Sequence, residues 1–189
     1  MTDPELVDLH RRACAAFGER VRAVGDGDWG KPTPCEDWDV GELVNHVVGE
    51  DLWTGPMMEG RTIEEVGERF DGDQLGDDPV AAWAEAQRQA EAAVAAPGAI
   101  ERTVHLSFGD TPASEYVMQL LADHAIHAWD LATAIGADDR IDPALVDAIA
   151  TWFDDREDMY RGAGVIGPAV EPADPDDPQA RLLARFGRR

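Results

Sequence analysis

Apolar residues recur every three or four positions along much of the chain, which is the spacing that predicts amphipathic helices. The first such stretch runs from Pro4 to about Val24. A second begins at Asp39, which can cap a helix, and Glu42 follows three residues later to complete a capping box. We expect Gly55-Pro56 to end this helix. Its apolar stripe consists of Val40, Leu43, Val44, Val47, Val48 and Leu52.

The middle of the chain contains two predicted helices, one with a weak signal and one with a strong signal, and then a segment in which apolar and polar residues alternate. A short helix is predicted near Ile63 to Phe70, in a stretch rich in acidic residues. Asp78 can cap the next helix, which is Ala-rich and is expected to run from Pro79 to about Ala96. Thr103 to Phe108 then alternates apolar and polar residues before a Gly-Asp pair, which predicts a short β-hairpin near residues 103–113.

The remaining helices follow the hairpin. The periodic stretch from Ser114 to about Ile135 predicts the last long helix, and Gly136 is expected to terminate it. A further helix is predicted over roughly Ala144 to Tyr160. After a proline-containing tail, a short one is predicted over Ala180 to Phe186. The pattern therefore predicts an all-α protein with a small hairpin.

Length and composition restrict the organisation and the partners. The 189 residues suit one domain, with a bundle over residues 1–136 and a helix and proline-containing tail over 137–189 packed on it. The 39 acidic residues against 16 Lys and Arg give a net charge of −23, which argues against nucleic acid and anionic lipid as partners. Two cysteines and no signal region predict a cytoplasmic, reduced protein, and no apolar run is long enough to span a membrane.

Three residues form the main candidate for a metal site. Asp123 and His127 are four residues apart, so on a helix their side chains leave the same face about one turn apart. His46 borders the apolar stripe of a different predicted helix and can complete a His/Asp/His set if the two faces meet. Three protein ligands leave a coordination position open, which is typical of catalytic zinc sites.

Nearby residues leave the assignment partly open. His124 is three residues before His127 and is the alternative ligand to Asp123. Asp130 can orient the His127 imidazole from outside the ligand set, as carboxylates commonly do around metal-bound histidine. Glu50 lies one turn beyond His46 and is a second tentative supporting residue. Both carboxylates can equally be solvated or bonded to another helix.

Other residues that could carry chemistry have simpler interpretations. Cys35 has no histidine or basic residue close in sequence to lower its pKa, so a structural role is predicted. His10 and His105 have no neighbours that indicate a ligand role. The tryptophans are interpreted as core and helix-staple residues; they are Trp38, Trp83, Trp129 and Trp152.

Several segments together resemble a known family. They are Pro32 to Val40, Leu43 to Glu50, Asp123 to His127, Trp129 to Ala132 with Gly136, Gly167 to Val170, and the tail from Arg181 to Arg188. These segments resemble the metal-binding proteins related to mycothiol-dependent maleylpyruvate isomerase, which belong to the DinB-like superfamily. The resemblance covers most of the chain.

The resemblance implies a DinB-like four-helix bundle with one long crossover and a divalent metal at one end of its core. It implies His46, Asp123 and His127 as ligands, with Asp123 a shorter substitute for the usual Glu. It also implies that the open position binds a low-molecular-weight thiol such as mycothiol as thiolate. The isomerase has a larger C-terminal domain that nothing after Gly136 resembles, so its reaction is not predicted here.

Three hypotheses about function follow. The first is a thiol-dependent transferase or isomerase in which the metal activates a thiolate. The second is a non-catalytic metal-binding or small-molecule-binding module, and the third is a helical dimerisation protein whose histidines only pack. Zinc is the default metal, with nickel, iron and manganese as alternatives. The predicted partner is a small-molecule substrate or thiol, and a homodimer is left open.

Overall fold

Helices account for most of the chain, and one two-stranded hairpin separates two of them. The computed structural model describes residues 1–189. In chain order the elements are α1 (Asp3–Ala23), α2 (Val40–Met58), α3 (Ile63–Val66), α4 (Pro79–Val94), β1 (Thr103–Leu106), β2 (Gly109–Pro112), α5 (Ala113–Ile135), α6 (Pro143–Phe153), α7 (Glu157–Gly162) and α8 (Pro178–Arg185). The predicted all-α class and the short hairpin are both confirmed.

Local capping signals fix where the two site-bearing helices begin and end. Asp39 accepts a hydrogen bond from the Glu42 backbone N–H at 2.9 Å, and the Glu42 carboxylate accepts one from the Asp39 N–H, also at 2.9 Å. The predicted capping box of α2 is therefore confirmed. Helix α5 ends at Gly136, whose φ of 71° lies in the left-handed region that glycine adopts without steric cost.

Two predicted helix ends are wrong, and a third differs by two residues. Helix α2 continues through Pro56 to Met58, because Met57 and Met58 are buried in the core and their burial outweighs the helix-breaking tendency of proline. The helix predicted over Ile63 to Phe70 ends at Val66, because Gly67 takes a positive φ of 60°. Helix α4 ends two residues earlier than predicted.

The helix predicted over Ala144 to Tyr160 is instead two helices. The chain leaves helical geometry at Arg156, between α6 and α7. There the Arg156 guanidinium donates to the carboxylate of Glu115 at 2.8 Å and to the carbonyl of Trp152 at 2.9 Å. These contacts with α5 and with the end of α6 depend on the tertiary arrangement, which local periodicity does not reveal.

Helices α1, α2, α4 and α5 form a four-helix bundle. Helix α1 packs on α5 and α4, and α2 packs on α4 and α5, so α1 and α2 occupy opposite corners. Residues 24–39 must therefore cross one end of the bundle to join them. Within the bundle, an apolar cluster from these helices includes Phe17, Leu43, Val47, Trp83 and Leu131.

The segment after Gly136 packs on the bundle. Helix α6 contacts α5, and α8 contacts α6. The rings of Phe153 and Phe186 stack with centroids 4.4 Å apart, and Arg188 reaches Asp130 on α5. None of the helices has the length and apolar character needed to cross a membrane.

The packing of α1 against α4 leads to a stability prediction at Gly18. A Cβ atom added there would lie 2.6 Å from the Trp83 Nε1 atom, and Trp83 is fully buried. We expect Gly18→Ala to lower the free energy of unfolding by about 1–3 kcal/mol, as overpacking does elsewhere. Denaturant unfolding measures this change.

Gly49→Ala is the matched control for this prediction. Gly49 also lies inside a helix, but a Cβ atom there meets nothing within 4 Å. The higher helix propensity of alanine should raise the free energy of unfolding by roughly 0.5–1 kcal/mol. Equal stabilities of the two variants would contradict the close approach of α1 to Trp83.

Candidate metal centre

Helices α2 and α5 bring His46, Asp123 and His127 together. One ligand-capable atom from each lies within 4.8 Å of the others. The Asp123 Oδ1 atom is 3.5 Å from His46 Nε2 and 3.3 Å from His127 Nε2. The i, i+4 spacing on α5 and the approach of α2 thus place the three predicted ligands side by side. We refer to these three residues as the open cluster.

Two of the three spacings within the open cluster match what a single metal ion requires, and the two histidine nitrogens lie within 4.8 Å of each other. Two nitrogen or oxygen ligands at 2.0–2.1 Å from a tetrahedral zinc ion lie about 3.3 Å apart. The Asp123 Oδ1 atom meets this spacing with both histidines, so the shorter aspartate side chain reaches far enough here. Its Oδ2 atom is buried and has no hydrogen-bond partner, which leaves a lone pair available.

One side of the open cluster faces solvent. The side chains of His46 and Asp123 are 29% and 27% exposed, whereas that of His127 is 9% exposed. A metal ion bound by the three would therefore have protein on one side and a reachable position on the other. This layout suits exchange of a small ligand or water.

A hydrogen-bonded chain orients the His127 ring. His127 Nδ1 lies 3.0 Å from Asp130 Oδ2, a carboxylate that can only accept, so Nδ1 carries the proton and Nε2 is left toward Asp123. Asp130 is fully buried and also accepts two hydrogen bonds from Arg188, at 3.2 and 2.9 Å. The C-terminal tail thereby neutralises the carboxylate that holds His127.

The loop that crosses the end of the bundle covers the two histidines. The Trp38 ring lies 4.6 Å from the ring of His46 and 5.7 Å from that of His127, measured between centroids. Thr33 fixes the loop, because its hydroxyl donates to the Trp38 carbonyl at 2.9 Å and accepts from the Cys35 N–H at 3.1 Å. Trp38 therefore restricts the orientation of both imidazole rings, which is a role beyond that of the predicted helix staple.

Cys35 lies closer to the open cluster than its sequence neighbours indicate. Its sulfur is within 4.8 Å of ligand-capable atoms of His127 and Asp130. Burial raises the pKa of the Cys35 thiol, although the nearby Arg188 guanidinium opposes this. The thiol is thus kept protonated, which agrees with the predicted structural role of Cys35. In contrast to its sequence neighbours, however, the basic residue Arg188 lies near it in space.

The charges of the open cluster alter the protonation of its members. Burial disfavours the charged form of His127, but the Asp123 and Asp130 carboxylates outweigh it and raise its pKa to about 9. Burial also acts against ionisation of Asp123, yet the two histidines hold its pKa well below the usual value. Without a metal, His127 is therefore protonated at neutral pH, and its positive charge pairs with the Asp123 carboxylate.

The two other residues proposed from sequence occupy different positions. Glu50 lies partly buried on α2, and burial together with the Asp123 charge raises its pKa. His124, the alternative ligand, is fully buried and faces away from the open cluster, with its Nε2 3.1 Å from Asp51. The geometry therefore brings Asp123, and not His124, next to His46 and His127.

Sequence reasoning missed two neighbours of the open cluster. Arg188 is 58 residues from Asp130, and no local pattern links the two. Trp38 has a local signal, since it immediately precedes Asp39, the N-cap of the His46 helix, but that signal indicates only a staple. Two surface cavities, of about 550 and 230 Å³, lie away from the open cluster.

Comparisons with known proteins place the chain in a family. The family described as the mycothiol maleylpyruvate isomerase N-terminal domain matches residues 10–132. Two uncharacterised proteins of Mycobacterium tuberculosis, from strains CDC 1551 / Oshkosh and ATCC 25618 / H37Rv, are each 33% identical over 178 residues. Those matches cover 94% of this chain and 93% of each relative.

Solved structures show the same fold. The crystal structure of the mycothiol-dependent maleylpyruvate isomerase superimposes with a TM-score of 0.63 at 18% identity, covering 81% of this chain and 70% of that one. A histidine-to-alanine mutant of that enzyme gives a TM-score of 0.64 with the same coverage. The chain therefore belongs to the family of the mycothiol maleylpyruvate isomerase N-terminal domain.

Proposed function

We propose that the protein is a metal-dependent enzyme of the thiol-transferase or isomerase kind. In this proposal His46, Asp123 and His127 hold one divalent metal ion, with zinc as the default. The open position takes a low-molecular-weight thiol, for which mycothiol is the first candidate because of the family. When bound, the metal lowers the pKa of a thiol ligand and so presents a thiolate nucleophile.

The observation that carries the proposal is the spacing of the open cluster. Asp123 Oδ1 lies 3.5 and 3.3 Å from two histidine nitrogens, close to the separation of about 3.3 Å between ligands of one zinc ion. A carboxylate that served only as an ion-pair partner would need no second histidine. The partnerless Asp123 Oδ2 atom also favours a site that is completed by a cation.

The charge of the open cluster favours an anionic fourth ligand. Two neutral imidazoles and one carboxylate leave a divalent ion with one uncompensated positive charge. A thiolate at the open position would neutralise it, which matters more here than in water because the site is partly buried. Water or a substrate carbonyl at that position would leave the charge in place.

The chain's own residues then position and shield the site. Asp130 keeps the proton of His127 on Nδ1, and Arg188 keeps Asp130 ionised and fixed. Trp38 excludes water from one side of both imidazole rings. A thiol arriving from solvent meets the exposed edges of His46 and Asp123, so its tail would extend outward from the bundle.

The first prediction concerns metal binding at the open cluster. Protein stripped with a chelator should take up a single equivalent of zinc in a calorimetric titration, and His46→Ala and His127→Ala should each abolish this uptake. His105→Ala is the matched control, because His105 also contacts a carboxylate, Asp110, at 2.7 Å but lies on the exposed hairpin. Unchanged uptake in the His46→Ala variant would refute the ligand set.

The second prediction concerns the hydrogen bond to His127. Asp130→Asn keeps the shape of the side chain but removes its negative charge. The hydrogen bond that it accepts from His127 Nδ1 becomes weaker. We expect the zinc affinity of the open cluster to fall about 10–100-fold, as for other residues that orient metal ligands. Asp110→Asn breaks the equivalent pair on the hairpin and should leave the affinity unchanged; a similar loss in both variants would point to a general charge effect.

The third prediction concerns the thiol. Cobalt-substituted Cys35→Ser protein should gain a thiolate-to-cobalt charge-transfer absorption when mycothiol is added, and S-methylated mycothiol should produce none. Adding His46→Ala should remove the response. If zinc binds but mycothiol gives no new absorption, the enzyme hypothesis fails in favour of a non-catalytic metal-binding module.

A further inference from the structure

A second group of ligand-type side chains lies inside the bundle, where three helices meet. Cys14 on α1, Asp51 on α2 and His124 on α5 place one ligand-capable atom each within 4.8 Å of one another. All three residues are fully buried, in contrast to the open cluster. We refer to them as the closed cluster. His124 follows Asp123 in sequence but points into a different region of the bundle.

Three polar atoms of the closed cluster lack the partners that buried groups normally have. Neither carboxylate oxygen of Asp51 has a hydrogen-bond partner, and neither has the Nε2 atom of His124. His124 Nε2 approaches Asp51 Oδ1 to 3.1 Å without forming an aligned hydrogen bond. A buried carboxylate in this state is destabilising unless some positive group satisfies it.

The other side of the His124 ring determines what faces Asp51. Its Nδ1 atom lies 2.6 Å from the Leu120 carbonyl oxygen, which can only accept, so Nδ1 carries a proton. In a neutral ring, Nε2 then directs a lone pair toward the carboxylate. Two electron-rich atoms 3.1 Å apart repel each other unless a proton or a metal ion lies between them. A backbone carbonyl bonded to the distal nitrogen is also the usual support of a metal-bound histidine.

We propose that Cys14, Asp51 and His124 form a second metal site, closed to solvent, that binds zinc or a similar divalent transition metal. The Cys14 thiolate and the Asp51 carboxylate together balance the charge of a divalent ion, so the buried site is neutral. The 3.1 Å between the Asp51 and His124 atoms is close to the roughly 3.3 Å expected for two ligands of one zinc ion. A thiolate with an imidazole and a carboxylate favours zinc over magnesium or calcium.

His10 is placed to complete a four-coordinate site. Its two ring nitrogens lie 3.8 and 3.7 Å from the Cys14 sulfur, and its ring centroid is 5.9 Å from that of His124. His10 is buried, and the Cys14 sulfur is the one hydrogen-bond partner of its ring nitrogens, so a ring lone pair is free for a metal ion. A change of ring orientation would direct that lone pair to the metal, as four protein ligands do in structural zinc sites.

Aromatic walls separate the closed cluster from water. The rings of Phe17 and Trp83 have centroids 6.2 and 5.8 Å from that of His124, and both residues are fully buried. A metal ion here would enter as the chain folds and would join α1, α2 and α5. Its role would be to stabilise the bundle, and the open cluster alone would exchange ligands.

The test is the metal content of the full chain, produced with zinc present and then exposed to a chelator in the native state. We expect one zinc per chain to remain after this treatment and to be released only by unfolding. His46→Ala should retain it, whereas Cys14→Ser and Asp51→Asn should lose it. Complete removal of zinc from native wild-type protein would overturn the proposal.

A second measurement covers the case in which the buried variants do not fold. The Cys35→Ser, His46→Ala double variant, refolded with cobalt and without added thiol, keeps only Cys14 as a thiol and lacks one ligand of the open cluster. A thiolate-to-cobalt charge-transfer absorption in this protein supports the closed site, and its absence refutes it. The proposal of a closed metal site does not rest on the proposed function, because either cluster can bind a metal ion when the other binds none.

Discussion

Helix α5 is buried on almost every side, and yet it carries four ionisable residues in its central turns. Of its 23 residues, 16 are buried, including His124, His127 and Asp130. A charged or strongly polar group in such a place must be paired, because an unpaired one would cost more than the hydrophobic burial around it contributes. The neighbours of α5 therefore have to supply partners, and this requirement explains much of the structure around it.

Three of these residues have neighbours on other elements, whereas His127 pairs with Asp123 and Asp130 of α5 itself. Asp123 meets His46 of α2, and Asp130 meets Arg188 of the C-terminal tail. His124 meets Asp51 of α2 and Cys14 of α1. The crossover at the end of the bundle places Trp38 over the histidines. Helices α1, α2 and α5 and the C-terminal tail are thus linked by polar contacts as well as by the apolar core.

These polar groups separate into two clusters with opposite access to solvent. The open cluster lies where α2 and α5 reach the surface, so a ligand can arrive at it and leave. The closed cluster lies behind aromatic side chains, where a bound ion would be retained. Two adjacent residues of one helix, Asp123 and His124, serve the two clusters because successive side chains on a helix point about 100° apart.

The sequence by itself determined most of the helices, the caps of α2 and α5, and the candidate set of His46, Asp123 and His127, with His124 left as the alternative to Asp123. Periodicity, the Asp39 capping box and Gly136 act within a few residues, and the i, i+4 spacing of Asp123 and His127 is a local property of a helix. Only the tertiary structure decided that His124 faces Asp51, that Arg188 holds Asp130, and that the chain breaks at Arg156. Those outcomes depend on contacts between residues far apart in sequence, where packing and the pairing of buried charges override local preference.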